Sequence, residues 1–454
     1  MGLKWGSRVV MVVSGDKVGA VAVEELAERI VSRRAVVAVV GQGFVGLPQA
    51  IEIGQAGFRV IGIDRDGERV RRLSEGRSPV PDVSDAQLAE AIASGAYRLT
   101  TEMAAAAEAD VIIVCVPTPL NPDRSPDVSI VAEVANAVVP YVDRPRLIVL
   151  ESTVPPGTTR SVVLPPLAAA GRVVGTDFFL GFAPERLDPG NQRYTMTTTP
   201  RLVSGITPSC LRLTEAFYAR VVDEVKPVSS PEVAELAKAV ENTFRFLNVG
   251  FANEVALLCD RLGYSVWEVI EAAATKPFAF MAHYPGPGVG GSCIPVVPQY
   301  LRHVAEQHDV PCRLIQSATE INDAMPGFIV EKLARLLRSR GVRLAEATIL
   351  VVGVSYKPDV ADLRESPALP ILRLLDSTAA RVAYHDPLVP VLELDGETRR
   401  SVPLDSEALG SADCVLLLTL HSSVDRAALL RQARFIFDTR NGLRAAGQAS
   451  VAVL

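Results

Sequence analysis

A cysteine behind a run of glycines is the side chain in this sequence best suited to covalent chemistry. Residues 285–295 read PGPGVGGSCIP, so Cys293 follows four glycines that lie within six positions. Glycines leave backbone N–H groups bare of side chains, and such a loop can close on an anionic or sugar-like ligand. The alternative is an ordinary Pro/Gly turn with a buried cysteine behind it. The candidate ligand contacts in and beside this loop are Tyr284, Gly288, Gly290 and Gly291.

A second glycine-rich turn predicts a dinucleotide site. Residues 35–40 read AVVAVV, which suits a strand buried on both faces, and residues 41–46 read GQGFVG and lead into a helical stretch. In this pattern Gly41 permits the tight turn, Gly43 admits the pyrophosphate and Gly46 packs the helix close to the strand. The helix N-terminus then faces the phosphates.

An acidic residue at the end of the next strand completes this pattern. Asp64 follows the predicted strand 58–63 and stands 18 positions after Gly46. Its carboxylate would accept hydrogen bonds from the adenosine ribose and repel a 2′-phosphate, which favours NAD over NADP, a preference that Arg65 weakens slightly. The alternative is an αβ unit with no ligand. The candidate cofactor-binding residues are Gly41, Gly43, Phe44, Val45, Gly46, Asp64, Arg65, Pro117, Thr118 and Thr153.

Polar residues also follow three later strands, predicted at 111–116, 147–150 and 178–182. Ligands of doubly wound sheets bind beyond the carboxyl ends of the strands, so Thr118 is expected to face the reactive end of the cofactor. Glu185, which precedes Arg186 in the stretch APERLDPGN, is a candidate general base. A solvated loop carboxylate is the alternative for Glu185.

A long helix is predicted from about residue 229 to residue 262. Ser230 suits the N-cap and Pro231 the first helical turn. More than 30 residues correspond to about 45–50 Å, long enough to cross between domains and to carry a subunit interface. Lys238 and Asn242 are four positions apart and share one face, where they could supply a cation and a donor to a developing oxyanion. A solvated helix face is the alternative.

Further elements are predicted on both sides of these segments. A short lead-in helix covers residues 21–31, and helices at 299–306 and 314–341, the second interrupted near Pro326, follow the cysteine loop. Strands at 347–352, 381–384, 414–419 and 435–438 then indicate a second, smaller α/β domain. In that domain Lys357, Arg364 and Arg440 lie at strand-to-helix turns, where cations suit phosphates or carboxylates. His385 and His421 lack a metal-binding pattern and are predicted to be structural.

Composition restricts the class of protein. The 454 residues are 48% hydrophobic with a net charge of −6, which argues against a nucleic-acid partner bound through a broadly basic surface. The six cysteines show no C-x-x-C spacing, which fits a reducing compartment and predicts neither a metal site nor a disulfide framework. The apolar stretch 9–13 is too short for a signal or a membrane span. We therefore expect a soluble, cytoplasmic protein with no membrane partner.

Taken in order, these segments resemble the nucleotide-sugar 6-dehydrogenases, a family that includes UDP-glucose, GDP-mannose and UDP-N-acetylhexosamine dehydrogenases. The resemblance spans about residues 35–445, and the amino-acid sequences of the motifs are most similar to those of the UDP-N-acetylglucosamine 6-dehydrogenase branch. Two neighbouring families, the 6-phosphogluconate and β-hydroxyacid dehydrogenases, use a lysine and need no cysteine after a Gly-Gly loop. The presence of Cys293 in this loop therefore argues against them. The motifs that carry the resemblance are GQGFVGLP, VPTPL, ESTVPPGTT, APERLDPGN, AELAKAVENTFRFLNVGFANE, PGPGVGGSCIP, GVSYKPDVADLRESPA, YHDP and FDTRN.

The resemblance implies an α/β fold with two Rossmann-like doubly wound domains, joined by a long central helix and a helical middle domain. It also implies a homodimer. The expected segments are a lead-in helix at 1–34, an NAD-binding Rossmann domain at 35–228, a central dimerisation domain with the cysteine loop at 229–342, and a UDP-sugar-binding α/β domain at 343–454.

The resemblance further implies a two-step, four-electron oxidation of a sugar C6 alcohol to a carboxylate with two NAD⁺. Cys293 would trap the aldehyde as a thiohemiacetal, which is oxidised to a thioester and hydrolysed. Lys238 and Asn242 would stabilise the oxyanion, Glu185 would act as acid/base, and Thr118 would position a water. The substrate contacts that follow are Glu185, Arg186, Lys238, Asn242, Tyr284, Gly288, Gly290, Gly291, Lys357 and Arg364.

One position departs from the family pattern. Four residues after the cysteine the family carries an aspartate that helps to hold the catalytic water, whereas this chain has Val297. Valine neither holds nor activates water, and general-base assistance is worth about 10²–10⁴-fold in rate. Three hypotheses follow: a complete dehydrogenase, an altered oxidoreductase that stops at the aldehyde or uses a modified nucleotide sugar, and a catalytically silent nucleotide-sugar-binding subunit.

Overall fold

The computed structural model describes residues 17–80, 82–169, 171–187, 193–379, 381–444, 448 and 450–454. Residues 1–16 of the predicted lead-in segment lie outside the described residues, and so do residues 188–192, which include the end of the APERLDPGN stretch. The described residues form two compact units. The first extends to Thr118 and includes Asp127–Ala237, and the second contains Pro119–Pro126 and Lys238–Leu454.

The first unit is built on an eight-stranded sheet, which confirms the predicted doubly wound architecture. Its strands are β1 Val36–Val40, β2 Arg59–Ile63, β3 Tyr97–Thr100, β4 Val111–Val114, β5 Leu147–Leu150, β6 Phe179–Phe182, β7 Arg201–Gly205 and β8 Val225–Pro227. The strand order is β3-β2-β1-β4-β5-β6-β7-β8, and all neighbours are parallel except β6 and β7. The chain direction across the sheet reverses between β1 and β4, which is where such folds bind their ligands.

Helices cover both faces of this sheet, because its central strands are apolar throughout and buried on both sides. They are α1 Lys17–Val31, α2 Gly46–Gln55, α3 Gly67–Ser74, α4 Asp85–Ala93, α5 Ser129–Val138, α6 Leu164–Ala169 and α7 Pro208–Tyr218, with 3₁₀ turns at Met103–Glu108 and Val139–Tyr141 and a π turn at Thr159–Val163. The predicted lead-in helix is part of α1, and its Leu26 and Ile30 are buried in the core of this unit.

The predicted long helix is confirmed as α8, Pro231–Leu262, within which the first unit ends and the second begins. It is followed by α9 Val266–Ala274, α10 Val297–Gln307 and α11 Arg313–Arg338. The predicted interruption near Pro326 is wrong, because α11 continues through that residue. Proline removes one hydrogen-bond donor, the partner of the Asn322 carbonyl, but burial of Met325, Pro326 and Ile329 holds the helix together.

The predicted second α/β fold is also confirmed. Its five-stranded sheet has the order β10-β9-β13-β14-β15 with every pair parallel, and a two-stranded hairpin, β11 and β12, stands beside it. The strands are β9 Thr348–Val352, β10 Arg381–His385, β11 Val391–Leu394, β12 Glu397–Arg400, β13 Cys414–Leu417, β14 Ile436–Asp438 and β15 Val451–Val453. The helices are α12 Ala368–Thr378, α13 Ser406–Ser411 and α14 Arg426–Gln432, with a 3₁₀ turn at Leu344–Glu346.

Both histidines predicted to be structural make backbone hydrogen bonds in this second sheet. His421 is buried, lies 3.1 Å from the carboxylate of Asp386 and accepts from the N–H of Asp359. His385 lies 2.8 Å from the carbonyl of Val402.

Candidate active site

The glycine turn after β1 is tight, and its geometry requires glycine at two positions. Gly41 has φ +94°, and a side chain there would collide with the carbonyl of Cys115. A side chain at Gly46 would collide with the carbonyl of Gly41. Gly43 instead has nothing within 4 Å of the place where a Cβ would lie, so its backbone is open to a ligand. Phe44 and Val45 are half-buried and pack against the core of the unit.

Asp64 lies against this turn and is firmly held. One carboxylate oxygen accepts from the Gln42 N–H at 2.8 Å and from Arg69 at 3.0 Å, and the other accepts from the Asp66 N–H. The cation on Asp64 is thus Arg69, which the sequence interpretation missed, while Arg65 points to Glu133 at 3.7 Å. The fixed, buried carboxylate suits recognition of ribose hydroxyls.

The segments after β4 and β5 are joined by hydrogen bonds at the carboxyl ends of these strands. Thr118 donates its hydroxyl to the carbonyl of Thr153 at 2.6 Å, and the Val116 N–H donates to the hydroxyl of Ser152. Pro117 between them is exposed. Two residues predicted to face the cofactor, Thr118 and Thr153, are therefore direct neighbours.

Glu235 of α8 supports the same loop from within the first unit. Its carboxylate accepts from the Gly157 N–H and from both the N–H and the hydroxyl of Thr159. Burial outweighs these hydrogen bonds and raises the pKa of Glu235 to about 7. The sequence interpretation gave this residue no role.

Glu185 and Arg186 follow β6 and are both half-buried. The guanidinium of Arg186, predicted to bind substrate, donates to the carbonyl of Pro200 at 2.9 Å. In the structure Arg186 thus fixes its own segment to the chain that precedes β7.

The cysteine loop of the second unit is anchored through its backbone. The Gly286 N–H donates to the Asn253 side chain at 2.9 Å, and the Gly291 N–H donates to the Arg364 carbonyl at 2.9 Å. The Val289 N–H donates to the side chain of Asn322 at 2.6 Å. Three of the N–H groups expected to meet a ligand are therefore already bonded within the protein.

Close packing gives another reason for the glycines of this loop. A Cβ at Gly290 would lie 2.7 Å from the Glu365 carbonyl, and one at Gly291, where φ is +90°, would lie 2.8 Å from the ring of Tyr356. Gly288, with φ +136°, lies similarly against Pro367. The loop is thus shaped against the residues that follow β9, and Cys293 at its end is exposed, with its sulfur 3.8 Å from the hydroxyl of Ser292.

The structure brings α8 against the end of this loop. Ala239 packs with Val296, Val297 and Tyr300 in a small apolar cluster, which we call the Val297 cluster. Val297 is 1% exposed, and its N–H donates to the carbonyl of Cys293. The family's aspartate position is therefore occupied by a buried methyl-bearing side chain.

Lys238 and Asn242 flank Ala239 on the same helix. Both are 8% exposed, so neither belongs to a solvated helix face. The Asn242 side-chain nitrogen is buried and has no hydrogen-bond partner among the described residues. A buried donor without a partner is costly, which suits a group that acquires its partner from a ligand.

Two arginines of the second unit, Arg364 and Arg440, lie beside the loop. Arg364 forms a 2.6 Å ion pair with Asp362, and the charge of Cys293 is among the interactions that raise the pKa of Arg364, after its hydrogen bond to Asp362. Arg440 lies 3.0 Å from the position of a Cβ on Gly286, and burial lowers its pKa to about 10. Lys357 is half-buried after β9, and Tyr284 stacks on Trp267 at 5.7 Å.

The predicted site residues thus form two groups, one in each unit. The first unit brings together the glycine turn, Asp64, Thr118 and Thr153, with Glu185 at the end of β6. The second brings the cysteine loop together with α8 and the segment around Arg364. Sequence reasoning gave no role to Asn322, whose side chain holds the loop at Val289, because no local signal in the sequence marks that contact.

Comparison with known proteins identifies the family. Three models of the UDP-glucose/GDP-mannose dehydrogenase family match: the NAD binding domain at residues 35–222, the central domain at 232–324 and the UDP binding domain at 350–445. The chain belongs to this family. As a member of the UDP-glucose/GDP-mannose dehydrogenases it is an oxidoreductase that uses NAD.

Relatives across the family are similar over most of their length. The NDP-N-acetyl-D-galactosaminuronic acid dehydrogenase of Ralstonia nicotianae is 33% identical over 415 residues, which cover 89% of this chain and 95% of the relative. The UDP-N-acetyl-D-glucosamine 6-dehydrogenase of Pseudomonas aeruginosa is 32% identical, over 85% of this chain and 90% of the relative. The structure of a UDP-D-ManNAc dehydrogenase from Pyrococcus horikoshii matches with a TM-score of 0.83 at 31% identity. The match covers 92% of this chain and 98% of that structure.

Within the described part of this family member, none of the helices combines the length and the apolar character needed to cross a bilayer.

Proposed function

We propose that this chain oxidises the C6 alcohol of a UDP-N-acetylhexosamine, with UDP-N-acetylglucosamine as the first candidate, to the uronic acid. The observation that carries the proposal is the exposed thiol of Cys293, at the end of a loop held by α8, by α11 and by the segment around Arg364. The relatives named above act on N-acetylated sugars, which supports this substrate class.

The residues of the first unit fit NAD. Gly43 leaves its backbone open, and side chains at Gly41 and Gly46 would block the turn. Asp64 would hold the adenosine ribose, while the N-terminus of α2 would face the pyrophosphate. When bound, NAD⁺ accepts one hydride in each of two oxidations, so each sugar yields two NADH.

Cys293 carries the covalent chemistry in this proposal. Its thiolate adds to C6 of the aldehyde, and the carbonyl oxygen becomes the alkoxide of a thiohemiacetal. Loss of hydride from that carbon leaves a thioester on the sulfur. Water then attacks the thioester carbon and releases the carboxylate and the free thiol.

Other residues have supporting roles in the proposal. Lys238 and Asn242 stabilise the oxyanion of both additions, for which the unpartnered amide nitrogen of Asn242 is suited. Glu185 takes and returns the substrate protons, and Thr118 orients a water. Arg364 and Lys357 attract the diphosphate of the nucleotide.

A second candidate function is favoured by the Val297 cluster. Because Val297 is packed against Ala239 and Tyr300, no carboxylate is available at the position where the family holds its water. Thioester hydrolysis would slow by about 10²–10⁴-fold if no other base substituted. The product would then be a thioester retained on Cys293, or the aldehyde where loss of hydride from the thiohemiacetal is slowed as well.

The deciding experiment counts NADH per UDP-N-acetylglucosamine consumed and identifies the product by mass spectrometry. The wild type is compared with Val297→Asp, with Val296→Asp as matched control because it places the same charge in the same cluster. Cys293→Ser tests the thiol.

Each outcome assigns the reaction. Two NADH and a C6 carboxylate support complete oxidation with Glu185 as the base. One NADH per sugar with release of the aldehyde, or two NADH with a thioester retained on Cys293, supports the second candidate when Val297→Asp and not Val296→Asp restores the carboxylate product. Absence of NADH with the gluco, manno and galacto epimers would overturn both and leave a nucleotide-sugar-binding subunit.

We further propose that the chain forms a homodimer through α8. One face of this helix carries apolar side chains at least 50% exposed at Val240, Phe244, Phe251, Leu258 and Leu262. Phe244, Phe251 and Leu258 repeat every seven residues, so they line one continuous stripe, which we call the α8 stripe. A second copy in antiparallel orientation would present the same stripe, as a two-fold axis requires.

A further inference from the structure

Arg201 is a buried arginine at the start of β7. It is 3% exposed, yet its guanidinium donates to the carbonyl of Pro184 at 2.9 Å and to the side chain of Gln49 at 2.7 Å. The carboxylate of Glu151, which is fully buried, lies 3.6 Å away. Burying an arginine costs several kcal/mol unless it is paired, so such an arrangement calls for an explanation.

The surroundings keep this guanidinium charged and in place. Burial by itself lowers the pKa of Arg201, but the negative charges around the guanidinium, that of Glu151 foremost, together outweigh burial and raise that pKa. The guanidinium also stacks 5.1 Å from the ring centre of Tyr218, whose hydroxyl donates to Glu151. Gln49 fixes the other side from α2, the helix that follows the dinucleotide turn.

The carbonyl that Arg201 holds lies where the sheet stops. Antiparallel pairing of β6 with β7 ends at Phe182 and Ser204, so residues 184–186 receive no backbone ladder from β7. Two arginines replace it: Arg201 donates to the carbonyl of Pro184, and Arg186 donates in return to the carbonyl of Pro200. Glu185 lies between the two ends of this reciprocal pair.

We propose that Arg201 is a positioning residue for Glu185, which it holds in place through the carbonyl of Pro184 and whose ionised form it favours through its charge. The charge of Glu185 acts in turn on Arg201. This inference rests on the acid/base role proposed for Glu185. It adds a buried residue, Arg201 at the start of the next strand, on which that role depends.

The test compares Arg201→Gln with Arg146→Gln. Arg146 is also buried in this unit and also donates to backbone carbonyls, those of Ala106, Ala107 and Ala109, but it directly precedes β5 and thus lies at the opposite edge of the sheet. We expect Arg201→Gln to lower kcat by about 10–100-fold and to change KM for the nucleotide sugar by less than about threefold. The acidic limb of the pH–rate profile should move to higher pH, because a cation that favours the carboxylate is removed.

A second readout does not depend on turnover. Amide hydrogen exchange of residues 185–187 should accelerate in Arg201→Gln and not in Arg146→Gln. Arg201→Lys, which keeps the charge and one donor, should recover part of kcat and serves as the test variant if Arg201→Gln does not fold. Equal effects of the Gln variants at positions 201 and 146 on exchange and pH profile would overturn the inference.

A double-mutant cycle with Glu185→Gln separates this inference from the proposed function. If Arg201 acts through Glu185, the double variant should be no slower than Glu185→Gln alone. Additive losses would overturn the inference and leave the role of Glu185 intact. No loss in Glu185→Gln itself would overturn the proposed acid/base role, and with it this inference.

Discussion

Cys293 differs from the other five cysteines in its surroundings. It is exposed, Cys312 is partly exposed, and the remaining four are buried. Burial raises the pKa of Cys115, Cys210 and Cys414, the last to about 12. Since the thiolate is the nucleophile, these three thiols should be inert at neutral pH.

Alkylation with iodoacetamide should therefore modify Cys293 before any other cysteine. We expect one label per chain at short times, absent in Cys293→Ser, with Cys312 labelled more slowly. Peptide mass spectrometry measures the order of labelling. First labelling of Cys115 or Cys414 would contradict the buried environments described above.

The raised pKa of Glu235 predicts that the stability of the protein depends on pH. Its pKa in the folded protein is raised to about 7 from the usual 4.5, so between these values the unfolded chain loses a proton that the folded protein keeps. The free energy of unfolding should fall as pH rises through this window, by up to about 3 kcal/mol for this group.

Urea unfolding at pH 5 and pH 8 measures this effect. Glu235→Gln should show a smaller fall between the two pH values than the wild type. Glu232→Gln is the control on the same helix, because Arg160 holds the pKa of Glu232 below its usual value against the effect of burial. Glu232 is therefore largely ionised in the folded and the unfolded states at both pH values, so its removal should change stability by about the same amount at pH 5 and at pH 8.

At the scale of elements, the cysteine loop is defined by what packs around it. Gly290 lies against the Glu365 carbonyl and Tyr356, and Gly291 lies against the Tyr356 ring. A Cβ at either position must displace backbone or an aromatic ring. The position of Cys293 therefore depends on the segment that follows β9.

Gly290→Ala should lower kcat by at least about tenfold and stability by about 1–3 kcal/mol, because of overpacking at a backbone carbonyl. Gly327→Ala is the matched control. Gly327 lies inside α11 with nothing within 4 Å of a Cβ, so alanine there should be neutral or stabilising by up to about 1 kcal/mol. Steady-state kinetics and urea unfolding measure both variants, and normal activity in Gly290→Ala would contradict the packing account.

The elements predicted from the sequence are those whose signal is local. The strand β1 and the turn at Gly41 carry their pattern within a dozen residues, and so does the start of α8 at Pro231. The proline in α11 misled the prediction, because burial of its neighbours outweighs one lost hydrogen bond.

The supports of the site were not predictable in this way. Arg201 donates a hydrogen bond to Gln49, which is 152 residues away, and the Val289 N–H donates one to Asn322, which is 33 residues away. A single sequence contains no local sign of such pairs. Lys238 and Asn242 shared a helix face in the prediction, but only the packing of Ala239 in the Val297 cluster distinguishes that face from a solvated one.

At the scale of the whole molecule, the α8 stripe predicts the state of assembly. Phe251→Asp with Leu258→Asp should convert a dimer to a monomer, because two carboxylates would be buried in the apolar interface. Leu314→Asp, at an apolar residue of α11 that is more exposed than either, is the control and should leave the dimer intact. Sedimentation velocity measures the mass, and a monomeric wild type would contradict the proposal.

The anchoring of the cysteine loop also governs how this protein can be recombined with its relatives. A chimera joined near residue 342, where the sequence alone separates two domains, would pair the loop with a foreign partner for its bonds and packing at Arg364, Glu365 and Tyr356. A junction inside α8 near Ala237, where the two compact units divide, keeps all of these contacts in one parent. A chimera made to exchange sugar-nucleotide specificity should therefore transfer Cys293 together with the segment that matches the UDP binding domain.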